Sequence, residues 1–385
     1  MIEIGLVGKP NSGKSSFFKA ATMIDVKVSP VPFTTIEPNT GMAHVVIDCV
    51  EKEFNTNCKP KHGYCKNGKR YIPVKLWDIA GLVPGAHEGK GLGSKFLDDV
   101  RQASVLIQVI DTSGMTDNEG KPTTNHDPSE EIRFLQDEID LWFSDIIDRA
   151  LKKIGAKSKM ESKDNVVNML HEQLTGLNVS KDQIDRAFSD SGISDVRKFA
   201  TIIRKMSKPM LVAANKMDME NAQKNFEKLM GIFKEMLILP TSAEAEIALR
   251  KAAEKNLVDY DGKHFQLKDG VDERQKTVLN HIQKVVDMYG STGVQECLNK
   301  TVFQLLDHIV VYPVEDENKL CDKDKNVLPD ALLMPNGSTA LDMAYKVHTS
   351  IGEKFISAID ARTKKRVGKD HILKNGDVIK IVAAR

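Results

Sequence analysis

At 385 residues, with 41% hydrophobic and 28% charged side chains, the chain can build two or three ordinary cores and is composed unlike a disordered or fibrous protein. A formal net charge of +1 gives no global pull toward nucleic acid or a membrane, and no apolar run approaches the ~20 residues that span a bilayer. Five cysteines at irregular spacing do not read as a disulfide framework, so a reducing, cytoplasmic setting without a membrane partner is expected. The opening "MIEIGLVG" reads as a first strand and not as a signal peptide. A Gly-rich turn follows, then "KSSFFKAATMI" at helical spacing. Further strands are expected at "HVVIDCV", "YIPVKLWD", "SVLIQVID", "PMLVAANK" and "MLILPTSA". Several are continuous apolar runs, as in strands covered on both faces, and helical patterns separate them. The expected fold class is therefore α/β, a doubly wound, mostly parallel sheet with ligands at the carboxyl ends of its strands.

About a hundred residues separate "VLIQVID" from "PMLVAANK", too many for one crossover. A helical insertion is expected over about 127–205. Asp127 caps it, Pro128 takes the first helical position, and Glu130 closes the box. Ile132, Leu135, Ile139, Phe143, Ile146 and Ala150 form one apolar face, and "GAKSKMESKDN" ends the helix. Further helices are expected over about 244–304. The last eighty or so residues, from 305 to 385, change character: "HIVVYPV" and "DVIKIVAAR" are strand-like around the capped helix "STALDMAYKVHTSI", an α+β pattern. "CKPKHGYC" brings Cys58, His62 and Cys65 into one loop, with Cys49 a conceivable fourth zinc ligand. Paired CxxC knuckles are absent, so a polar hairpin tip is the favoured reading.

"GKPNSGKS", residues 8–15, matches G-x-x-x-x-G-K-[ST] between a strand and a helix. Gly8, Lys9, Pro10, Asn11, Ser12, Gly13 and the helix start at Lys14–Ser16 make up a loop whose N–H groups, Pro10 having none, would curl around phosphates. Lys14 would reach the β and γ phosphates and Ser15 would ligate Mg²⁺. Asp78 ends a strand, where it can hold Mg²⁺ through water, and the Gly81 N–H can face the γ-phosphate. In "NKMD", Asp218 can accept the N1–H and exocyclic amine of guanine, Asn215 would brace the loops, and the Lys216 stem would lie over the base. In "TSA", which holds Ser242, the Ala243 N–H can meet the guanine oxygen. Leu82 follows Gly81 where many such switches carry glutamine, and leucine cannot hold the attacking water.

This order of motifs is that of the translation-factor class of GTPases. "PFTTIEPNTG" and "DIAGLVPGAHEGKGLGSKFLDDVR" resemble the Obg family, in its branch similar to YchF and the Obg-like ATPases and in what looks like its archaeal form. "VVYPVEDENKL", "GSTALDMAYKVHTSI" and "NGDVIKIV" resemble a TGS domain, a β-grasp module. The resemblance implies an Obg-type G domain over 1–304, a TGS domain over 305–385, and Thr35 as the switch threonine on Mg²⁺, ahead of Thr34. It implies a GTPase with a hydrophobic residue, here Leu82, in the glutamine position, from which slow cleavage is expected, with GTP and GDP the ligands to which the residues above point. Bacterial and eukaryotic members carry a degenerate base motif and favour ATP; the intact "NKMD" here points to guanine. Two groups could compensate for Leu82. Asn11 either braces the loop or holds K⁺ as related GTPases do, and His87 either swings in or stays solvated. The TGS resemblance suggests ribosome or RNA contact, with Arg362, Lys364, Lys365, Arg366 and Lys369 gripping phosphates. An Obg-like ATPase and a non-catalytic RNA or ribosome scaffold are the competing readings; oligomeric state is left open.

Overall fold

The computed structural model describes residues 1–24, 39–85, 93–155 and 162–384. These form two compact units, one of residues 3–41 and 75–297, the other of residues 1–2, 42–74 and 298–385. In the larger unit, strands β1 (Glu3–Val7), the second half of β4 (Lys69–Asp78), β5 (Val105–Asp111), β6 (Met210–Asn215) and β7 (Ile238–Pro240) form a parallel sheet in the order β4-β1-β5-β6-β7. Every residue of β5 and β6 is buried, which explains their unbroken apolar runs. Helices α1 (Lys14–Thr22), α2 (Gly93–Gln102), α7 (Ala222–Ile232) and α8 (Ala243–Glu254) connect or follow these strands.

The segment between β5 and β6 is helical: α3 (Pro128–Gly155), α4 (Lys163–Leu174), α5 (Lys181–Ser191) and α6 (Val196–Ser207). Asp127 accepts the Ser129 N–H at 3.0 Å, while the Glu130 carboxylate faces Asn118 Nδ2 at 3.4 Å. Leu135, Ile139, Phe143 and Ile147 of α3 enter one core with Leu170, Ile184, Phe199 and Ile203; Ile146 is only partly buried against it. Ile147 thus takes the inward place expected of its neighbour, a one-residue rotation within the same apolar face. Beyond α8 the chain forms a short hairpin, β8 (Val258–Tyr260) and β9 (Phe265–Leu267), before α9 (Glu273–Tyr289) and α10 (Val294–Lys300). The hairpin was not expected, because three-residue strands carry too little periodicity to register.

In the smaller unit, β10 (His308–Val314), β11 (Leu332–Pro335), β12 (Phe355–Asp360), β13 (Arg366–Val367) and β14 (Val378–Ala383) form a sheet in the order β11-β10-β14-β12-β13. Helix α11 (Ala340–Val347) starts at a Thr339–Asp342 capping box and is followed by the short α12 (Thr349–Glu353). Ala340 and Met343 pack with Ile309, Val311, Ala358 and Ile379 of the sheet. The same unit holds most of β2 (Asn39–Asp48), and β3 (Tyr64–Lys66) paired antiparallel to the first half of β4.

Candidate functional site

The phosphate loop joins β1 to α1, and two of its glycines are closely packed. Gly8 has φ +148°, and a Cβ there would meet the Val109 carbonyl oxygen at 2.3 Å. Gly13 has φ +96°, and a Cβ there would meet Asn215 Nδ2 at 2.2 Å. Only glycine satisfies both the left-handed backbone and this close approach. Helix α1 begins without a side-chain cap and without an acidic residue in its first turn. Its first N–H groups therefore face the loop with the positive end of the helix dipole, an electrostatic arrangement suited to an anion. Ser12 Oγ is buried there without a hydrogen bond, and Ser16 is buried in the first turn.

Lys14 Nζ donates to the Lys9 carbonyl at 2.8 Å. Burial pulls its pKa from 10.5 down to about 8, against the pull of the Asp78 and Glu131 carboxylates. Lys9 points its ammonium into the protein, 2.9 Å from Glu131 Oε1 and donating to the Thr116 hydroxyl and Asp117 carbonyl, both at 2.8 Å. Burial pushes Glu131 up to about 7 in spite of that lysine. Lys9 therefore offers the loop its backbone and spends its charge on anchoring. Asn11, at φ 60°, donates Nδ2 to the Gly120 carbonyl at 2.8 Å, the bracing geometry among its two readings. Pro10 packs against Gly120, and a Cβ on Gly81 would meet Pro10 N at 2.9 Å. The Gly81 region is thus pressed onto the phosphate loop.

Asp78, fully buried at the end of β4, accepts from Ser15 Oγ at 2.8 Å through Oδ2, while Oδ1 has no hydrogen bond. Burial raises its pKa against the nearby Lys14 charge. Two hard oxygen donors from strand end and helix start, one carboxylate oxygen unsatisfied, fit a Mg²⁺ ion. Leu82 is 1% exposed and lies in the core built by Val7, Phe96 and the helical insertion; its N–H donates to the Gly8 carbonyl at 3.1 Å. Thr34, Thr35 and His87 lie outside the described residues.

The base-side residues converge on the same loop. Asn215, 2% exposed, donates Nδ2 to the Ser12 carbonyl at 3.0 Å and accepts the Ala243 N–H at 3.1 Å through Oδ1. Ser242 Oγ donates to Asp218 Oδ1 at 2.6 Å and accepts the Ala245 N–H at the start of α8. Lys216 has φ 65°, and its Nζ lies 2.8 Å from Asp111 Oδ2. Burial works against ionisation of Asp111, but Lys216 and hydrogen bonds from Ser113 and Thr116 hold its pKa below the ordinary value. Asp111 and Glu131 are the site residues that sequence reasoning missed. The terminal acid of "VLIQVID" was the available signal, since a carboxylate ending a buried strand needs a cationic partner.

In the smaller unit, the basic turn after β12, which continues through β13 to Lys369, divides. Arg362 forms a two-pronged ion pair with Glu53, at 2.5 and 2.8 Å, and also approaches Asp377 at 3.5 Å. Lys364 donates to the Glu317 carbonyl, while Lys365, Arg366 and Lys369 are exposed. Arg362 is therefore committed within the protein, and the exposed cations are its neighbours.

Residues 3–216 match the family model described as 50S ribosome-binding GTPase, more than half of the chain. The chain belongs to that GTPase family. Residues 213–316 match the G4 motif-containing domain of the YGR210-like Obg-like GTPases, and residues 325–383 match the TGS domain. A GTP-binding protein of Methanocaldococcus jannaschii is 49% identical to this Obg-like GTPase over the whole of both chains. The crystal structure of a GTP binding protein from Pyrococcus horikoshii superposes with a TM-score of 0.80 at 37% identity, covering all of both chains. The ribosome-binding ATPase YchF of Bacillus subtilis is 29% identical across 66% of this chain and 69% of its own.

Proposed function

We propose that this Obg-like GTPase binds GTP with Mg²⁺ and hydrolyses it slowly to GDP and phosphate, a switch whose state is read by the ribosome or RNA. The observation that carries this reading is Asn215, which ties the Ser12 carbonyl of the phosphate loop to the Ala243 N–H beside Asp218 and Ser242. Groups suited to phosphate and groups suited to guanine thereby share one rigid frame. Asp218 selects guanine by accepting two N–H groups that adenine does not pair in that register, and Ser242 orients its carboxylate. Lys216 lies along the base with its charge held by Asp111. The loop from Gly8 to Ser16, Pro10 excepted, supplies N–H groups to the phosphates, and the Lys14 ammonium donates hydrogen bonds to the bridging and terminal oxygens. Ser15, Asp78 and Thr35 hold Mg²⁺, which when bound neutralises charge on the phosphates.

Gly81 senses the terminal phosphate, and Leu82, whose side chain has no polar atom to hold a water, is enclosed in the core as well. The chain's own residues position the phosphates well and the water poorly, so a low intrinsic rate follows. Since Asn11 uses its Nδ2 to brace Gly120, K⁺ would have to be held through its other amide atom; such a K⁺, His87 or a ribosomal partner would raise the rate. The TGS domain supplies the RNA contact through the exposed Lys365, Arg366 and Lys369. The likeness to YchF, a ribosome-binding ATPase, favours a second reading, an ATPase on the same site. Phosphate release from GTP and from ATP, in K⁺ and in Na⁺, with and without ribosomes, tests both. Preference for ATP would replace the guanine assignment, and silence under every condition would leave a nucleotide-ordered scaffold.

A further inference from the structure

We propose that Cys49, Glu51, Cys58 and Cys65 form a zinc site in the unit that contains residues 42–74. Their ligand atoms all lie within 4.8 Å of one another, although the residues come from the end of β2, the turn after it, an irregular loop and strand β3. Cys49 Sγ and Cys58 Sγ are 3.8 Å apart. With zinc–sulfur bonds of about 2.3 Å, the edge of a tetrahedral thiolate site is about 3.8 Å, the same spacing. A disulfide needs about 2.05 Å, so these sulfurs stand at the separation of co-ligands and not of a bonded pair. Glu51 Oε1 is 3.3 Å from Cys65 Sγ and supplies the fourth corner. Its other oxygen accepts the Cys58 N–H at 3.0 Å, which fixes the carboxylate as outer hydrogen bonds fix metal ligands.

The surroundings point the same way. Three thiolates and a carboxylate on a divalent ion leave a net negative centre. Arg70, entirely buried, sits within electrostatic reach of Glu51 and donates to the Leu328 and Pro329 carbonyls at 3.0 and 3.2 Å. Its Nε and the Tyr312 hydroxyl are buried beside this cluster without hydrogen bonds. The loop itself, "NTNCKPKHGY", has almost no apolar side chain to bury, so the hydrophobic effect does little to fix it. Backbone bonds from Lys59 and Lys61 to the Val327 and Pro329 carbonyls hold its far side. Metal ligation from Cys58 and Cys65 would hold its near side, as in small domains whose folding energy comes from zinc. His62 does not take part: its imidazole is largely exposed and lies 4.0 Å from Asp330.

The test uses the full chain, purified with a thiol reductant and dialysed, with zinc measured by atomic spectroscopy. Stoichiometric zinc is expected, together with a thiolate-to-cobalt charge-transfer band after exchange with Co²⁺. Cys58→Ser and Cys65→Ser should lose both signals and His62→Ala should keep both. Should the serine variants fail to fold, alkylation of the wild-type chain mapped by mass spectrometry reads the site directly. Cys58 and Cys65 should react at least tenfold faster after a chelator is added, whereas Cys321 should not change. A folded, reduced chain that takes up neither metal overturns the proposal. So do alkylation rates indifferent to the chelator, or a Cys49–Cys58 disulfide in chain that captures no zinc.

Discussion

The phosphate loop and the basic turn of the smaller unit both present cations, yet they use them in opposite ways. At the phosphate loop, Lys9 is consumed by Glu131, Lys14 is buried enough to lose part of its affinity for protons, and the glycines leave no room for a Cβ. At the basic turn, only Arg362 is engaged by carboxylates while Lys365, Arg366 and Lys369 stand in solvent. Buried, fully engaged groups discriminate, because a wrong ligand leaves them unpaired. Exposed cations attract any polyanion and are weakened by salt. The proposed recognition of nucleotide and the proposed contact with RNA would thus belong to two different physical regimes.

The widest separation between the regimes is expected from Lys14→Ala, which should reduce triphosphate turnover below detection while leaving RNA retention unchanged. Phosphate release and filter binding on the same preparation check this, and residual turnover would assign the activity elsewhere. Asp218→Asn should lower GTP affinity by about a hundredfold or more and shift preference to xanthosine triphosphate, measured by calorimetric competition. Equal GTP affinity in that variant would remove Asp218 from base recognition. An acid–base experiment sharpens the same contrast. Lys14 has its pKa lowered to about 8, so above that pH the free chain loses a proton that bound phosphates require. Affinity for GTP should fall as pH rises beyond about 8, by up to about tenfold per unit, and a flat profile to about pH 9.5 would contradict it. The smallest effect belongs to the basic turn. Lys365→Gln with Lys369→Gln should weaken RNA binding a few-fold and reduce its salt dependence by about one unit per cation, with nucleotide binding untouched.

The sheet was legible because buried parallel strands write themselves as unbroken apolar runs, and the insertion because α3 repeats its apolar residues from Ile132 to Ala150, about five turns. The glycine and lysine positions of the phosphate loop were legible because close backbone approach to an anion leaves so few residue choices. What the loop side chains do was less so. Lys9 and Asn11 looked like contributors to a ligand, and their side chains brace Glu131, Thr116 and Gly120, partners separated by about a hundred residues that no spacing rule connects. The thiol cluster was half legible. The loop cysteines were noticed, but His62 stood closest in sequence while Glu51, which the fold carries to the sulfurs, has no motif to announce it.

Leu82 was first of interest for the polar atom it lacks, but its place in the fold has a mechanical meaning. It lies in one apolar body with Phe143, Leu135 and Ile139 of α3, and a few residues on, the Gly85 N–H donates to Glu138 of the same helix at 2.5 Å. Withdrawing a leucine from such packing costs about 2–5 kcal/mol in lost burial and vacated volume. Any recoil of this stretch after the terminal phosphate departs must meet that cost or drag α3 with it. In the proposed GTP cycle the helical insertion would therefore be geared to hydrolysis, with α3 the shaft along which a spent nucleotide would first be felt.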